Sequence, residues 1–186
     1  MLTCCLLAYL LLTCAYLRVP GVYGTDTDIK TQLSPVCVGA CPAGSLCPSA
    51  SHTPKPCTAG TYCPRGSASA TFCPLGTVGY STSLTSPEEC SSCPTGHFCV
   101  GGSASSCARS TYNPLVGQFL QTACEQCPPN AVTNGTAATS VTDCVCVKGY
   151  YNYQSANETV ACERCPVGSK CIDEGTTLTS LPLVTG

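Results

Sequence analysis

The sequence has no tryptophan and few of the residues that usually fill a protein core. Among the 162 residues that follow Gly24, 26 are Leu, Ile, Val or Phe, which is below the roughly 20% at which a chain usually fails to assemble an apolar core. No stretch in this part repeats its apolar residues with helical periodicity. Burial of aliphatic side chains is therefore excluded as the main source of stability.

Charged residues are scarce as well. The chain has 8 Lys and Arg against 10 Asp and Glu, and they are scattered rather than clustered. A site for nucleic acid or for a membrane surface needs a basic patch or stripe. We therefore predict no nucleic-acid partner.

Cysteine, in contrast, is abundant. Seventeen cysteines follow Gly24, more than one residue in ten, which is the level of a secreted disulfide scaffold. Disulfide bonds form and persist in an oxidising compartment. We expect these covalent cross-links to supply the stability that apolar burial does not.

The first 24 residues have the pattern of a secretory leader. An apolar run, Leu2–Leu17, is followed by Arg18 and by Gly24, a small residue after which a signal peptidase would cleave. No basic residue precedes the run, so an uncleaved signal anchor is the alternative, although the run is shorter than the roughly 20 residues of a spanning helix. We predict a signal helix in residues 1–24, a linker in residues 25–36, and a secreted or cell-surface protein.

The cysteines define loops of two lengths. Short loops have five residues between their cysteines, and long loops have fifteen or sixteen. The short loops run from Cys41 to Cys47, Cys57 to Cys63, Cys93 to Cys99 and Cys165 to Cys171; the long loops run from Cys73 to Cys90, Cys107 to Cys124, Cys127 to Cys144 and Cys146 to Cys162. This repetition predicts a short-loop block in residues 37–106, a long-loop block in residues 107–171 and a tail in residues 172–186.

Many loops begin with Cys-Pro-x-Gly, as in CPAGSLC at Cys41 and CPTGHFC at Cys93. The proline fixes φ, and the glycine permits a backbone conformation that other residues resist. Short alternating segments such as GTVGYSTS, from Gly76, favour edge-like strands. We predict a small disulfide-rich fold, mostly β and irregular, in which tandem cysteine-loop repeats stack into an elongated rod.

The succession CPxGxxC, CPxGTxxxSTS and CxxCPxG between Cys37 and Cys171 resembles the cysteine-rich repeats called ephrin-receptor-like, which are related to those of growth-factor receptors. CVCVKGYY, from Cys144, is similar to a signature of epidermal-growth-factor-like modules. The tail from Gly175 to Gly186 resembles a segment of large multi-repeat surface proteins of protists and algae. The resemblance implies an extracellular repeat protein of which this chain is an amino-terminal fragment or a divergent short form, with membrane anchorage supplied by sequence beyond Gly186.

Because 17 is odd, at least one cysteine after Gly24 has no partner among the others. We expect Cys171 to be the cysteine without a partner, since the next cysteine of its unit would lie beyond Gly186. It would then be available for an intermolecular disulfide. We predict bonds that close the long loops: Cys73–Cys90, Cys107–Cys124, Cys127–Cys144 and Cys146–Cys162. Spacing leaves nine cysteines unassigned: Cys37, Cys41, Cys47, Cys57, Cys63, Cys93, Cys99, Cys165 and Cys171.

Three CxxC pairs raise two chemical alternatives. Zinc sites use this spacing, but they are typical of reducing compartments, and the leader predicts an oxidising one. Thioredoxin-like CxxC pairs begin a helix in a βαβ unit, whereas CSSC, CEQC and CERC join loops here. His52 and His97 stand in loop sequences with no recognisable triad or acid–base pair. We predict no metal site, no cofactor and no catalysis.

Two sequons, at Asn134 and Asn157, are predicted glycan acceptors. Glycans at these two positions would leave the surface of the first half of the array more accessible. A partner would then bind through the aromatic residues of that half. The alternative is that these rings only pack on their own disulfides. The residues concerned are Tyr62, Phe72, Tyr80 and Phe98.

These features favour a non-catalytic extracellular module that binds a protein or a glycan, or acts as a rigid spacer, within a larger receptor-like or adhesion-type surface protein. The first alternative is a structural coat or matrix component that the leftover cysteine cross-links. A second, a secreted inhibitor or toxin-like scaffold, predicts a single compact domain with one binding loop, and the regular repetition of loops argues against it.

Overall fold

The computed structural model of the protein describes residues 20–23, 39–49, 51, 53–154 and 160–181. Two compact units are present. The amino-terminal unit comprises the described residues up to Pro74 together with 78–91 and 101–103. The carboxy-terminal unit comprises 75–77, 92–100 and the described residues from Ala104 onward. Most of the predicted signal helix, Cys37, His52 and Asn157 lie outside the described residues.

The described residues form short strands and 3₁₀ helices, with no α-helix among them. The strands are β1 Val22–Tyr23, β2 Gly39–Ala40, β3 Ser45–Leu46, β4 Lys55–Pro56, β5 Thr61–Tyr62, β6 Thr71–Phe72, β7 Thr77–Val78, β8 Ser91–Ser92, β9 His97–Val100, β10 Ser103–Ser106, β11 Thr111–Tyr112, β12 Glu125–Gln126, β13 Ala131–Thr133, β14 Cys144–Cys146, β15 Tyr150–Asn152 and β16 Cys162–Arg164. The 3₁₀ helices are Pro87–Glu89, Gln121–Ala123, Val141–Asp143 and Leu178–Ser180. The prediction of a disulfide-rich fold that is mostly β and irregular is confirmed.

The strands pair into two-stranded ribbons, each made of strands that are neighbours along the chain. In β5–β6, for example, Thr61 faces Phe72 and Tyr62 faces Thr71 in antiparallel register. A ribbon of this length has too few hydrogen bonds to be stable alone. Cysteines directly follow both strands, Cys63 after β5 and Cys73 after β6, so each ribbon is tied down where it ends.

Eight disulfide bonds join the described cysteines. Four close the long loops, Cys73–Cys90, Cys107–Cys124, Cys127–Cys144 and Cys146–Cys162. Four close the short loops, Cys41–Cys47, Cys57–Cys63, Cys93–Cys99 and Cys165–Cys171. The expectation that Cys171 has no partner is wrong, because the turn that follows Cys165 brings the sixth residue back to the first, as in the other short loops.

Half-cystines form most of the core. Seven of them are fully buried: Cys41, Cys47, Cys57, Cys63, Cys93, Cys99 and Cys107. Only a few aliphatic side chains are buried with them, among them Val78, Leu84 and Val160. The cystines therefore fill the space that leucine and isoleucine fill in an ordinary domain.

The residue three positions after the opening cysteine of each loop has a positive φ. It is glycine in six loops, namely Gly44, Gly60, Gly76, Gly96, Gly149 and Gly168, and it is Ser110 or Asn130 in the other two. Glycine adopts this conformation without a steric penalty, and short polar residues tolerate it better than other residues with a side chain. We call this residue the turn residue of its loop.

Backbone hydrogen bonds join each turn except the last, at Gly168, to the loop that follows it. In the carboxy-terminal unit, the Gly96 N–H donates to the Asn113 carbonyl at 2.8 Å, and the Gly96 carbonyl accepts from the Cys107 N–H at 2.8 Å. In the amino-terminal unit, Gly44 makes the same two bonds, to the Cys63 carbonyl and from the Cys57 N–H. Nearest-neighbour contacts of this kind are typical of repeat proteins.

Close packing is a second reason for glycine at some of the turn residues. A Cβ atom on Gly76 or Gly96 would lie closer than 3.0 Å to backbone atoms of Gly117 or Ala137, respectively. The turn residue Gly149, in contrast, has no neighbour within 4 Å of such a Cβ. At Gly76 and Gly96, glycine is thus favoured both by the φ and by the backbone that lies against the turn, whereas at Gly149 only the φ favours it.

Candidate interaction surface

The sixth residue after each opening cysteine distinguishes short loops from long ones. In short loops it is the second cysteine, whereas in long loops it is Gly79, Asn113, Thr133 or Asn152. Without a cysteine at this position, the opening cysteine bonds instead to one sixteen or seventeen residues further along. The intervening residues form a surface segment, for example 80–89, 114–123 and 134–143.

Asn113 occupies the position at which a short loop has its second cysteine, and its side chain forms hydrogen bonds there in place of a disulfide. Its side chain is fully buried, its Nδ2 donates to the His97 carbonyl at 2.8 Å, and its Oδ1 accepts from the Leu115 N–H at 3.0 Å. A buried amide is costly unless its polar atoms are satisfied, and here both are. Asn113 therefore anchors the start of the surface segment 114–123.

Thr133 and Asn152 fix the start of their segments in the same manner. Thr133 Oγ1 accepts from the Ser110 N–H at 3.0 Å and donates to the Gly135 carbonyl at 2.6 Å. Asn152 Oδ1 accepts from the backbone N–H groups of Gln154 and Ala161. A side-chain turn of this type restricts the backbone that follows it.

A carboxylate fixes the end of two segments, just before the closing cysteine. Asp143 Oδ2 accepts from the N–H groups of Thr139 and Ser140, at 2.8 and 3.0 Å. Glu89 accepts from both the N–H and the hydroxyl of Thr85. The bonds to Asp143 are part of a capping box of the 3₁₀ helix Val141–Asp143, whereas those to Glu89 hold Thr85, which precedes the N-cap Ser86 of the 3₁₀ helix Pro87–Glu89. In the segment 114–123 the corresponding residue is Ala123, which has no such group.

The segment 80–89 contains a second carboxylate, that of Glu88, which directly precedes Glu89 in the sequence. A hydrogen bond from the Ser86 side chain, with a smaller contribution from the Glu88 backbone, holds the pKa of Glu88 below its ordinary value. This carboxylate is fully exposed, so it stays charged on the surface at neutral pH.

The four predicted aromatic residues differ in exposure. Phe72 and Tyr80 are each 66% exposed, whereas Tyr62 and Phe98 are half-buried beside the buried half-cystines Cys63 and Cys99. Tyr62, Phe72 and Tyr80 belong to the amino-terminal unit, and Phe98 belongs to the other. Phe72 and Tyr80 are thus the two rings that offer most of their surface to solvent.

The segment 114–123 contains an apolar cluster that the sequence analysis missed. Its residues are Leu115, Val116, Phe119 and Leu120, and they are 57%, 63%, 40% and 56% exposed. We call these four residues the apolar loop. Exposed clusters of this kind are typical of binding surfaces, and the signal in the sequence was a local run, LVGQFL, in a chain that is otherwise poor in aliphatic residues.

Tyr112 and Glu125 form a hydrogen bond at the base of the same disulfide loop. The Tyr112 hydroxyl donates to Glu125 Oε2 at 2.9 Å, across the β11–β12 ribbon. This bond, together with some desolvation and the negative charge of Glu125, raises the pKa of Tyr112 above its ordinary value. The bond needs the protonated phenol, so its stabilisation is present at neutral pH and is lost as pH rises above about 10.

We therefore expect Glu125→Gln to lower the pKa of Tyr112. The measurement is a spectrophotometric titration of phenolate, in which subtraction of the Tyr112→Phe curve isolates Tyr112. Since glutamine has no charge to disfavour phenolate, the Tyr112 midpoint should move toward the ordinary value. An unchanged midpoint would show that Glu125 does not hold this hydroxyl.

Arg109 links its own loop, Cys107–Cys124, to the next loop and to the tail that follows Cys171. Its Nε donates to the Thr133 carbonyl at 3.0 Å, and its Nη2 forms an ion pair with the Glu174 carboxylate at 2.8 Å. Both charged side chains are partly exposed, so the pair adds little stability. Beside Glu174 lies a shallow pocket of about 200 Å³, which Ile172, Asp173 and Thr176 also line.

The described residues contain no group of three or more His, Cys, Asp or Glu side chains that could hold a metal ion. Within the same part of the chain, no helix has the length and apolar character of a membrane span. The predicted sequon Asn134 is exposed in the surface segment 134–143.

Residues 101–144 match the sequence family described as tyrosine-protein kinase ephrin type A/B receptor-like. This range contains the complete Cys107–Cys124 and Cys127–Cys144 loops, and it confirms the resemblance that the cysteine motifs carry. The chain is a cysteine-rich repeat protein. Part of the chain is also similar to two much longer proteins.

The Toxoplasma gondii protein "Cysteine repeat modular protein A" is 37% identical to this cysteine-rich repeat protein over 95 residues, which are 50% of this chain and 3% of the relative. The human "Ephrin type-A receptor 6" is 36% identical over 74 residues, which are 40% of this chain and 7% of the receptor. The chain therefore spans only a small part of the length of these relatives. The similarity is limited to 95 residues of the first relative and 74 residues of the second.

Proposed function

We propose that this cysteine-rich repeat protein is a non-catalytic extracellular module that binds a protein partner through the apolar loop. The observation that carries the proposal is the exposure of Leu115, Val116, Phe119 and Leu120 on a segment that is fixed at its start by Asn113 and closed by Cys107–Cys124. Apolar and aromatic side chains are the usual centre of a protein–protein interface.

The proposed mechanism is rigid presentation. Disulfides and buried hydrogen bonds order the loop before any partner arrives, so little conformational entropy is lost on binding. We extend the proposal to the amino-terminal unit, in which the exposed rings of Phe72 and Tyr80 are further candidates for contact with a partner. The similarity of residues 101–144 to ephrin-receptor-like sequences supports an extracellular setting, since the apolar loop lies within that range.

The cysteine chemistry supports a non-catalytic role. The sixteen described half-cystines are oxidised, and a disulfide sulfur offers no thiolate that could attack a substrate or bind a metal. The same bonds support a secreted or cell-surface location, because they persist in oxidising compartments.

The expected result is saturable binding of the purified, labelled protein to intact cells, weakened about tenfold or more by Leu115→Ser with Phe119→Ser. The matched control is Ile172→Ser with Leu178→Ser, which changes two exposed apolar residues elsewhere in the same unit. Flow cytometry over a concentration series gives the apparent Kd, and equal unfolding midpoints show that both variants are folded. Equal affinity of the loop variant and the control would contradict the proposal.

Non-reducing gel electrophoresis separates this function from that of a cross-linked coat. The proposal predicts no species larger than a disulfide-linked dimer, since the sixteen described cysteines bond within the chain and 17 cysteines follow Gly24. A ladder of multimers that collapses on reduction would favour the coat.

A further inference from the structure

Residues Pro20–Tyr23, which the sequence pattern assigns to the leader, are packed into the first repeat. The Gly21 N–H donates to the Cys47 carbonyl at 2.9 Å, and the Gly21 carbonyl accepts from the Cys41 N–H at 2.8 Å. Strand β1 pairs with β2 in antiparallel register, with Val22 opposite Ala40. These four residues therefore belong to the hydrogen-bonded structure of the amino-terminal unit.

Gly21 has the properties of a turn residue. Its φ is +83°, and a Cβ on it would lie closer than 3.0 Å to the Gly66 carbonyl oxygen. Gly44, in the next loop of the same unit, has a φ of +78°, and a Cβ on it would also lie closer than 3.0 Å to a carbonyl oxygen, that of Ser83. The two bonds that Gly21 makes to Cys41 and Cys47 are those that Gly44 makes to Cys57 and Cys63. Gly21 thus forms a repeat turn, although Arg18 stands where a loop has its opening cysteine.

Cleavage after Gly24 would remove this turn. The Cys41 N–H and the Cys47 carbonyl would lose their partners, and both residues are fully buried in the structure. Unpaired backbone groups at such positions are unfavourable. Strand β2 would also become an open edge, which can pair with another chain.

We propose that Pro20–Tyr23 forms the first turn of the repeat array in the mature protein, and that processing of the leader ends before Pro20. The amino-terminal repeat then has a closed edge, because its own chain occupies β2. This inference does not depend on the proposed function, since it concerns the processing site and not the partner.

The first test maps the amino terminus of the protein after expression of the complete chain in a secretory eukaryotic host. Peptide mass spectrometry of the secreted or surface-exposed protein should find peptides that include Pro20–Tyr23, so that the chain begins at or before Pro20. A chain that begins at Thr25, or at any residue from Gly21 to Gly24, would overturn the proposal.

The second test examines whether Gly21 acts as a turn in the folded protein. Gly21→Ala should increase hydrogen exchange of the Cys41 amide by roughly tenfold, because alanine is strained at this φ and meets Gly66. The control is Gly135→Ala, where the φ is ordinary and no atom lies within 4 Å of the added Cβ. Exchange at Cys41 that is equal in Gly21→Ala, in the control and in the unmodified protein would also overturn the proposal.

Discussion

Replacing Gly76 with alanine is expected to lower the free energy of unfolding by about 2–5 kcal/mol. Alanine at the φ of +75° costs about 1–2 kcal/mol, and overpacking costs typically about 1–3 kcal/mol more. The overpacking arises because the new Cβ would lie closer than 3.0 Å to the carbonyl of Gly117, which lies in the loop Cys107–Cys124. Urea unfolding followed by circular dichroism measures the change, and a loss of this size would also reduce the amount of protein secreted.

Two matched substitutions separate the two causes. Gly149→Ala has the same type of backbone, with a φ of +87°, but no atom lies within 4 Å of its Cβ, so only the conformational cost of about 1–2 kcal/mol is expected. Gly135→Ala has neither feature, and its effect should stay within about 0.5 kcal/mol. Equal losses for Gly76→Ala and Gly149→Ala would show that no neighbouring backbone lies against the Gly76 turn.

The second large effect is expected for Cys107→Ala with Cys124→Ala, which should cost about 3 kcal/mol. The bond closes a loop with a sequence separation of 17, and in the chain-entropy model a loop near this length stabilises by about 3 kcal/mol. Cys107 is fully buried, and its N–H donates to Gly96, so loosening this loop also weakens the contact with the preceding turn. Binding through the apolar loop should fall in parallel, because the segment loses its closure.

The reduced proteins provide the control for this prediction. With a strong reductant present, both proteins lose all of their disulfides and are expected to be unfolded without urea, so their circular dichroism spectra should no longer differ. An oxidised variant that unfolds at the same urea concentration as the unmodified protein would contradict the role of the bond. Replacing both cysteines avoids a single unpaired thiol that could exchange with neighbouring disulfides.

The spacing of the cysteines predicts much of the fold, because the physical constraint is local. Cys-Pro-x-Gly encodes a turn through the fixed φ of proline and the freedom of glycine, and such turns occur at Gly44 and Gly96. Ser110 and Asn130 were not identifiable as turn residues, since they adopt a positive φ without being glycine. The repeat places them at a turn, and their short polar side chains tolerate the positive φ there.

Other features depend on contacts that are distant in sequence. Asn113 stands at the position of a cysteine, but only the fold shows that its amide replaces the cystine by bonding to His97 and Leu115. The odd number of cysteines after Gly24 shows that at least one of them has no partner among the others, but it does not show which one. The involvement of Gly21 in the first repeat was hidden by an apolar run that is typical of a leader.

The exposed apolar loop was missed for a related reason. Leu115 and Phe119 have the composition of core residues, and their exposure follows from the surface segment that Asn113 begins and Cys124 ends. Whether an apolar residue is buried depends on where the chain places it. The exposed fractions in the folded protein thus add information that the composition does not contain.

Disulfide mapping of the non-reduced protein tests the central claim most directly, namely that successive closed loops make up the fold. Digestion at low pH, which suppresses exchange, followed by mass spectrometry should recover eight linked peptide pairs. The pairs are Cys41–Cys47, Cys57–Cys63, Cys73–Cys90, Cys93–Cys99, Cys107–Cys124, Cys127–Cys144, Cys146–Cys162 and Cys165–Cys171. Bonds that cross between loops, such as Cys47 with Cys57 or Cys124 with Cys127, or free thiols at these positions, would contradict it.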